Sequence, residues 1–295
     1  MEFDGIITVE NLIFLAGLII FACWVRKTSL GRKSLADSLP RRNNMPLYLP
    51  FIPLFIWFGT VTLIASIAQI LFGNLKDWQT DFLDNFILGI SELSTIAVIL
   101  FLARIHFTRR LKGFGLNIKT IIKDFFVAFV NLLTIWPLIV SAMGLTVYFG
   151  ELFWGREYEM QQHQQLKLIT EHSQLLSRIL IAFVAVIIAP LLEEMLFRGL
   201  FQTTIRSYIE AFRPLISSPN KPEMERTTDR NGAWLAIVIS SVLFTMTHDN
   251  TGHWPALFVL GVCLGYSYEK SGSLFRPIFI HSFFNAISII ATLNQ

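Results

Sequence analysis

Runs of about twenty consecutive apolar residues recur along this chain, and they limit its fold more than any other feature, because a helix needs about that length to cross a bilayer. They fall at about 7–25, 47–72, 86–103, 125–149, 179–201, 233–248, 254–268 and 275–293, the sixth and seventh being short. A transmembrane β-barrel would instead show segments of about ten residues alternating apolar and polar, a pattern the chain lacks. With 53% hydrophobic and only 15% charged residues, and a mean hydropathy of +0.55, the 295 residues are too apolar for a soluble domain and too long for one anchor. The expected fold is all-α: a polytopic transmembrane helical bundle of about eight spans in one integrated membrane domain.

The N-terminal MEFDGIITVENLIFLAG has neither the basic stretch nor the small-residue cleavage site of a secretory signal peptide, so its apolar run reads as a retained first span. Glu10 lies near enough to the end of that span to reach the interface. Nineteen of the 24 basic residues fall in segments that alternate crossing puts on one side, among them Arg41, Arg42, Arg104, Arg109, Arg110, Arg206 and Arg276. The positive-inside rule makes that side cytoplasmic and both termini extracytoplasmic, and the expected location is a bacterial plasma (inner) membrane. A net charge of only +3 gives no composition argument for a nucleic-acid partner. Cys23 and Cys263 stand in apolar segments without metal or disulfide spacing and read as small packing residues.

Between the second and third spans the expected loop is acidic, with Asp77, Asp81 and Asp84. The long polar stretch 150–177 is expected to form an extracytoplasmic helix or lid, and its His163 and His172, nine apart, do not have a metal-ligand spacing. The stretch 213–231, rich in Pro, Ser, Thr and charge, is expected to be a mobile cytoplasmic connector. Pro50 and Pro53 in the second span and Pro137 in the fourth predict kinks.

The segment APLLEEMLFRGLF, residues 189–201, sets Glu193, Glu194 and Arg198 inside an apolar run, where each charge costs about 2.5–3.5 kcal/mol on insertion scales. Glu194 and Arg198, four apart, share a helix face and can pair. Glu193 is rotated from Glu194 by about 100° and stays available as a base for proton transfer. Downstream, Phe244 and His248 are four apart and can stack, and His281 and Asn285 project from one helix face. A histidine on an apolar helix, taken singly, is more often a hydrogen-bonded core residue than a ligand. Three apolar helices that each carry polar groups are most economically satisfied by one polar cavity. A glutamate base, two imidazoles for proton transfer or metal ligation, and an amide able to stabilise an oxyanion fit hydrolysis of a carbonyl compound by activated water. Covalent catalysis has less support, since no serine stands in a nucleophile elbow and neither cysteine lies near a histidine motif; an HExxH helix is also lacking. Glu92, in ILGISELSTIAVIL, is a second intramembrane acid, expected to hydrogen-bond Ser or Thr on a neighbouring helix, with support of the charged cluster as the alternative.

Glu193, Glu194 and Arg198 as EExxxR, Phe244 and His248 as FxxxH, and His281 and Asn285 as HxxxN resemble, in order and spacing, the motifs of the CPBP intramembrane proteases. This is the CaaX-protease and bacteriocin-processing group, also called the Abi family. The resemblance covers about 180–293, including the GxxLGYSYEKSGSLFRPIFIH stretch, whereas the first 175 residues resemble only generic membrane spans. It implies N-terminal spans plus an outer loop over 1–175 and a protease core of the last four spans over 176–295. It further implies an endopeptidase acting on a membrane protein or peptide. Glu193 would activate water with help from His248, His281 and Asn285 would position or stabilise the oxyanion, and Glu194, Arg198 and Phe244 would support them. A divalent metal such as zinc on Glu193, His248 and His281 suits the donor set, although water activation without metal is preferred.

Two other functions fit such a cavity: a non-catalytic immunity or scaffold protein that binds a peptide there, and a proton-coupled transporter with Glu193, Glu92 and the histidines as its relay. Repeated halves, which would favour a transporter, are not evident. One tension concerns depth. Glu193 lies about 16 residues, roughly 24 Å, along its span, and His281 only about six residues into the last. His248 falls about 15 residues along the sixth, nearer the opposite face unless the cavity is close to the midplane or the short sixth and seventh spans tilt.

Overall fold

The structure is a computed structural model and describes residues 9–29, 31, 33–35, 37–38, 40–73, 75–155, 158, 160, 164–171, 174–212 and 222–294, with the side chains of 9–10, 164–165 and 222–230 left aside. The Glu10 side chain, His163, His172 and the connector from 213 to 221 lie outside the described residues. The helices are α1 (Val9–Lys27), α2 (Phe51–Phe72), α3 (Asp77–His106), α4 (Arg110–Phe114), α5 (Ile121–Trp154) and α6 (Gln164–Glu171). They continue as α7 (Leu175–Phe212), α8 (Pro222–Met246), α9 (Trp254–Ser271) and α10 (Phe275–Leu293). Among the described residues the only extended pairing is an isolated antiparallel bridge between Asn43 and Phe107. The helices α2, α3, α5 with its preceding turn, α7 and α10 are long and apolar enough to cross a membrane. The chain is an all-α integral membrane protein.

Of the other stretches expected to cross, 9–25, 233–246 and 254–268 are helical too, but several boundaries move. Asp77, Asp81 and Asp84 belong to α3 rather than to a loop, because carboxylates in a first turn complement the helix dipole and extend the helix beyond its apolar part. Pro50 is the N-cap of α2 and Pro53 lies in its first turn, where a missing N–H breaks no bond, so neither produces the expected kink. The expected mobile connector is helical from Pro222. Cys23 is exposed, not packed, whereas Cys263 is partly buried.

Pro137 stands inside α5, which runs unbroken past it. Having no N–H, it frees the Leu133 carbonyl one turn back, and α1 crosses there through Gly17. A Cβ on Gly17 would collide with that carbonyl and with the Pro137 ring, so the crossing requires glycine.

Among the described residues four apolar clusters result, two of them large. One gathers Ile96 and Ile99 of α3, Phe114, Leu192 and Leu196 of α7, and Phe244 and Tyr268. The other joins Leu132 and Ile139 of α5 to Leu260, Leu264 and Ile280. Helix α7 runs between its neighbours with Met195 to Gln202 buried on every side, as expected of a helix at the centre of a bundle. At one end Arg41 donates to the carbonyls of Gly113, Gly272 and Tyr268 at 3.2–3.3 Å, tying the C-termini of α4 and α9 together. Asp124 of α5 accepts two bonds from Arg276 of α10, at 2.8 and 3.0 Å.

Candidate active site

Helix α7 is not a regular α-helix where the charges lie. Val184–Ile188 and Met195–Gln202 are π-helical, a geometry that recurs at functional sites. In the first stretch the Ala189 N–H bonds to the Val184 carbonyl, one residue beyond the α register. The Ala185 carbonyl is thereby deprived of its α partner, Ala189, and its π partner is Pro190, which has no N–H. Asn285 of α10 supplies the missing donor, with Nδ2 at 2.7 Å from the Ala185 oxygen. In the second stretch, hydroxyls of Thr203 and Ser240 donate to the carbonyls of Arg198 and Phe197 at 3.2 and 2.8 Å.

Asn285 therefore holds a backbone carbonyl with the amide that the sequence alone assigns to an oxyanion. Replacing Asn285 with Ala strands this acceptor, which costs about 1–3 kcal/mol. Denaturation in detergent is expected to show a loss of that size, and a midpoint equal to wild type would mean that another donor replaces it.

The charges form a chain. Arg198 Nη1 lies 3.0 Å from Glu194 Oε1 with both side chains fully buried, and the same oxygen accepts from His281 Nδ1 at 3.0 Å. Arg198 also donates from Nη2 to the Gly261 carbonyl at 3.1 Å, and its guanidinium carbon sits 4.4 Å above the Phe244 ring. One turn on, Gln202 donates to the Gly265 carbonyl at 3.1 Å. Gly261 and Gly265 are the small residues of a GxxxG face on α9 that lets α7 approach; a Cβ on Gly265 would come within 2.8 Å of Gln202. A buried ion pair is stable only with such further bonds.

His281 faces a carboxylate through Nδ1, which assigns the hydrogen to that nitrogen, and turns Nε2 toward Glu193, 3.9 Å from Oε2. That separation is too long for a direct hydrogen bond. The Glu193 side chain is 13% exposed, and its Oε2 has no hydrogen-bond partner among the described residues. Glu92 approaches from α3, whose Gly89 packs on Val184 and Ile188. The Glu92 carboxyl is buried and close enough to Glu193 for their charges to repel. Its Oε2 finds no partner among the described residues, so the expected bond to a neighbouring Ser or Thr is not there.

His248 lies just past the end of α8, in turns closed by bonds from Thr247 N–H to the Phe244 carbonyl and from His248 N–H to the Thr245 carbonyl. Its Nδ1 is 3.0 Å from the Phe244 carbonyl, which leaves Nε2 as the basic nitrogen of the ring. Phe244 joins the two histidines, with ring centroids 4.9 Å from His248 and 5.6 Å from His281. The turn before α10 is set against the second half of α7. Leu274, the N-cap of α10, donates to the Gly115 carbonyl at 2.9 Å, and the adjacent Phe114 ring packs on Gly199, five residues from Glu194. Six residues into α10 thus suffice to reach Glu194.

No three His, Cys, Asp or Glu side chains among the described residues are grouped as a metal set. Glu193 and His281 offer two donors, whereas a catalytic zinc takes three protein ligands; the Phe244 ring contacts both His248 and His281. The residues that sequence reasoning missed are Gln202, Gly261, Gly265 and the Pro190–Ala185–Asn285 arrangement. Their signals were the GxxxG spacing and a proline beside the acidic pair.

No curated protein and no solved structure matches the chain. The family model described as Type II CAAX prenyl endopeptidase Rce1-like matches residues 175–287, the stretch that supplies Glu193, Glu194, Arg198, Phe244, His248, His281 and Asn285. Over those residues the chain is similar to this family of CAAX proteases.

Proposed function

We propose that the protein is an intramembrane endopeptidase that cleaves a peptide bond of a membrane-associated protein or peptide by water attack. The observation that carries this reading is the chain Arg198–Glu194–His281, which turns His281 Nε2 toward Glu193 across 3.9 Å. An oxygen at about 2.8 Å from each group, an ordinary hydrogen-bond length, spans that separation. Glu193 takes a proton from water as its oxygen bonds to the scissile carbonyl carbon. The same carboxyl returns the proton to the amine as the C–N bond breaks. His281, held through Nδ1 by Glu194, faces the oxyanion with Nε2 and stabilises it when that nitrogen carries a proton. Asn285 keeps α7 in its π register and has a second amide proton for the oxyanion, and His248 assists proton exchange. No step is routed through a metal. The core over 176–295, eight crossings and extracytoplasmic termini are part of the same proposal.

Comparing membrane proteomes that contain wild-type protein or Glu193→Ala, with and without a chelator, tests it. Fragments are expected only with wild type and are expected to persist under chelation. The same fragments with Glu193→Ala would exclude Glu193 as the base, and their loss on chelation with recovery on added zinc would establish a metal. Full rescue of a deletion phenotype by Glu193→Ala would instead support peptide binding without cleavage.

A further inference from the structure

We propose that a pocket at the end of α3, remote from the proteolytic cluster, binds the phosphate headgroup of an anionic membrane lipid. The chain at 42–44 runs antiparallel beside 106–108. Asn44 N–H donates to the His106 carbonyl at 3.1 Å and Thr108 N–H to the Arg42 carbonyl at 3.2 Å. The Thr108 hydroxyl adds a bond to the same Arg42 carbonyl at 3.1 Å, and His106 Nδ1 meets Asn44 Oδ1 at 3.1 Å. These bonds fix a cavity of about 620 Å³ to which Arg42, Arg104, His106 and Arg110 contribute. Arg110 has a φ of 51°, a left-handed backbone uncommon for a residue with a side chain, which turns the chain back toward α3.

The charge of the pocket is one-sided. Arg42, Arg104 and Arg110 are exposed and form no ion pair among the described residues. The sequence has no acidic residue between Asp37 and Asp77 or between Glu92 and Asp124, the two stretches that build the pocket. Cations in the last turn of a helix complement its dipole, and that accounts for Arg104 and His106. It does not account for Arg42 and Arg110, which arrive from other segments to face the same cavity.

The surroundings favour a lipid over a soluble phosphate. Phe101 and Ile105, four apart on α3, are 64% and 56% exposed, and Ile105 lines the pocket. They form an apolar strip leading from the basic cavity along a membrane-crossing helix, the path an acyl chain takes when its headgroup sits among basic side chains at the interface. A free anion would use only the cavity.

The test uses the full chain extracted from bilayers of equal phosphatidylcholine and phosphatidylglycerol, with retained lipid counted by native mass spectrometry. Wild type is expected to retain phosphatidylglycerol in at least about tenfold preference, falling about fivefold for each arginine removed in Arg104→Gln and Arg42→Gln/Arg104→Gln. Arg104 makes no side-chain bond among the described residues, so the single variant keeps the fold, which an unchanged unfolding midpoint verifies. Equal retention of the two lipids by wild type, or unchanged preference in the variants, overturns the proposal. Complete displacement of the lipid by millimolar inorganic phosphate also overturns it, in favour of a soluble anion.

Discussion

Glu193→Gln is expected to lower the rate of peptide-bond hydrolysis by about 10²–10⁴-fold, the range a positioned general base supplies, while leaving the unfolding midpoint in detergent unchanged. The two readouts separate because, among the described residues, the contact of Glu193 is His281 Nε2 at 3.9 Å, too long for a hydrogen bond. Its Oε2 bonds to nothing among the described residues, and its side chain is partly exposed, so an amide of the same shape fills the site without stranding a neighbour. Single-turnover rates on a cleaved peptide, measured beside thermal unfolding, decide the matter. Retained hydrolysis would move the base elsewhere, and Glu92 is the carboxyl to examine next, since it is buried and electrostatically coupled to Glu193. A rate lost together with stability would show instead that Glu193 has a packing role.

Those features that depend on spacing along one helix were legible in the sequence. The pairing of Glu194 with Arg198 follows from their i, i+4 separation, and the apolar runs give the helices that hold them. What could not be read depends on contacts between distant segments. Arg206, assigned to a cytoplasmic connection by its charge, is buried in α7 with Glu210 at 2.5 Å and Glu269 at 3.5 Å, because α7 continues well past its apolar part. Arg276, assigned likewise, is held by Asp124. The role of Asn285 needed the π register of α7, and Pro190 hints at a freed carbonyl without saying which side chain answers it. Residue counts left the depth of His248 open, and its ring lies 4.9 Å from Phe244, which also meets His281; the depth of α10 is set by Leu274, Gly115 and Phe114 against Gly199, none of which has a sequence signature for that contact.

Glu194→Ala is expected to destabilise the protein by about 3–5 kcal/mol, the usual loss when one partner of a buried ion pair is removed. Arg198 is fully buried and has no other carboxylate within ion-pair distance among the described residues, so the variant leaves a guanidinium in apolar surroundings with only the Gly261 carbonyl and the Phe244 face as partners. Arg198→Met strands Glu194 in the same way and should cost a similar amount. The double variant Glu194→Leu/Arg198→Met removes both charges and is expected to recover most of the loss, because apolar groups of similar volume often replace a buried pair at little cost. Chemical denaturation in detergent, read as a double-mutant cycle, gives the coupling directly. Activity should not recover with stability. Glu194 Oε1 is also the acceptor for His281 Nδ1, and a leucine there does not orient the ring, so the refolded double variant is expected to stay inactive. A double variant that is both stable and active would show that His281 works without Glu194, and the chain Arg198–Glu194–His281 would then be scaffolding alone.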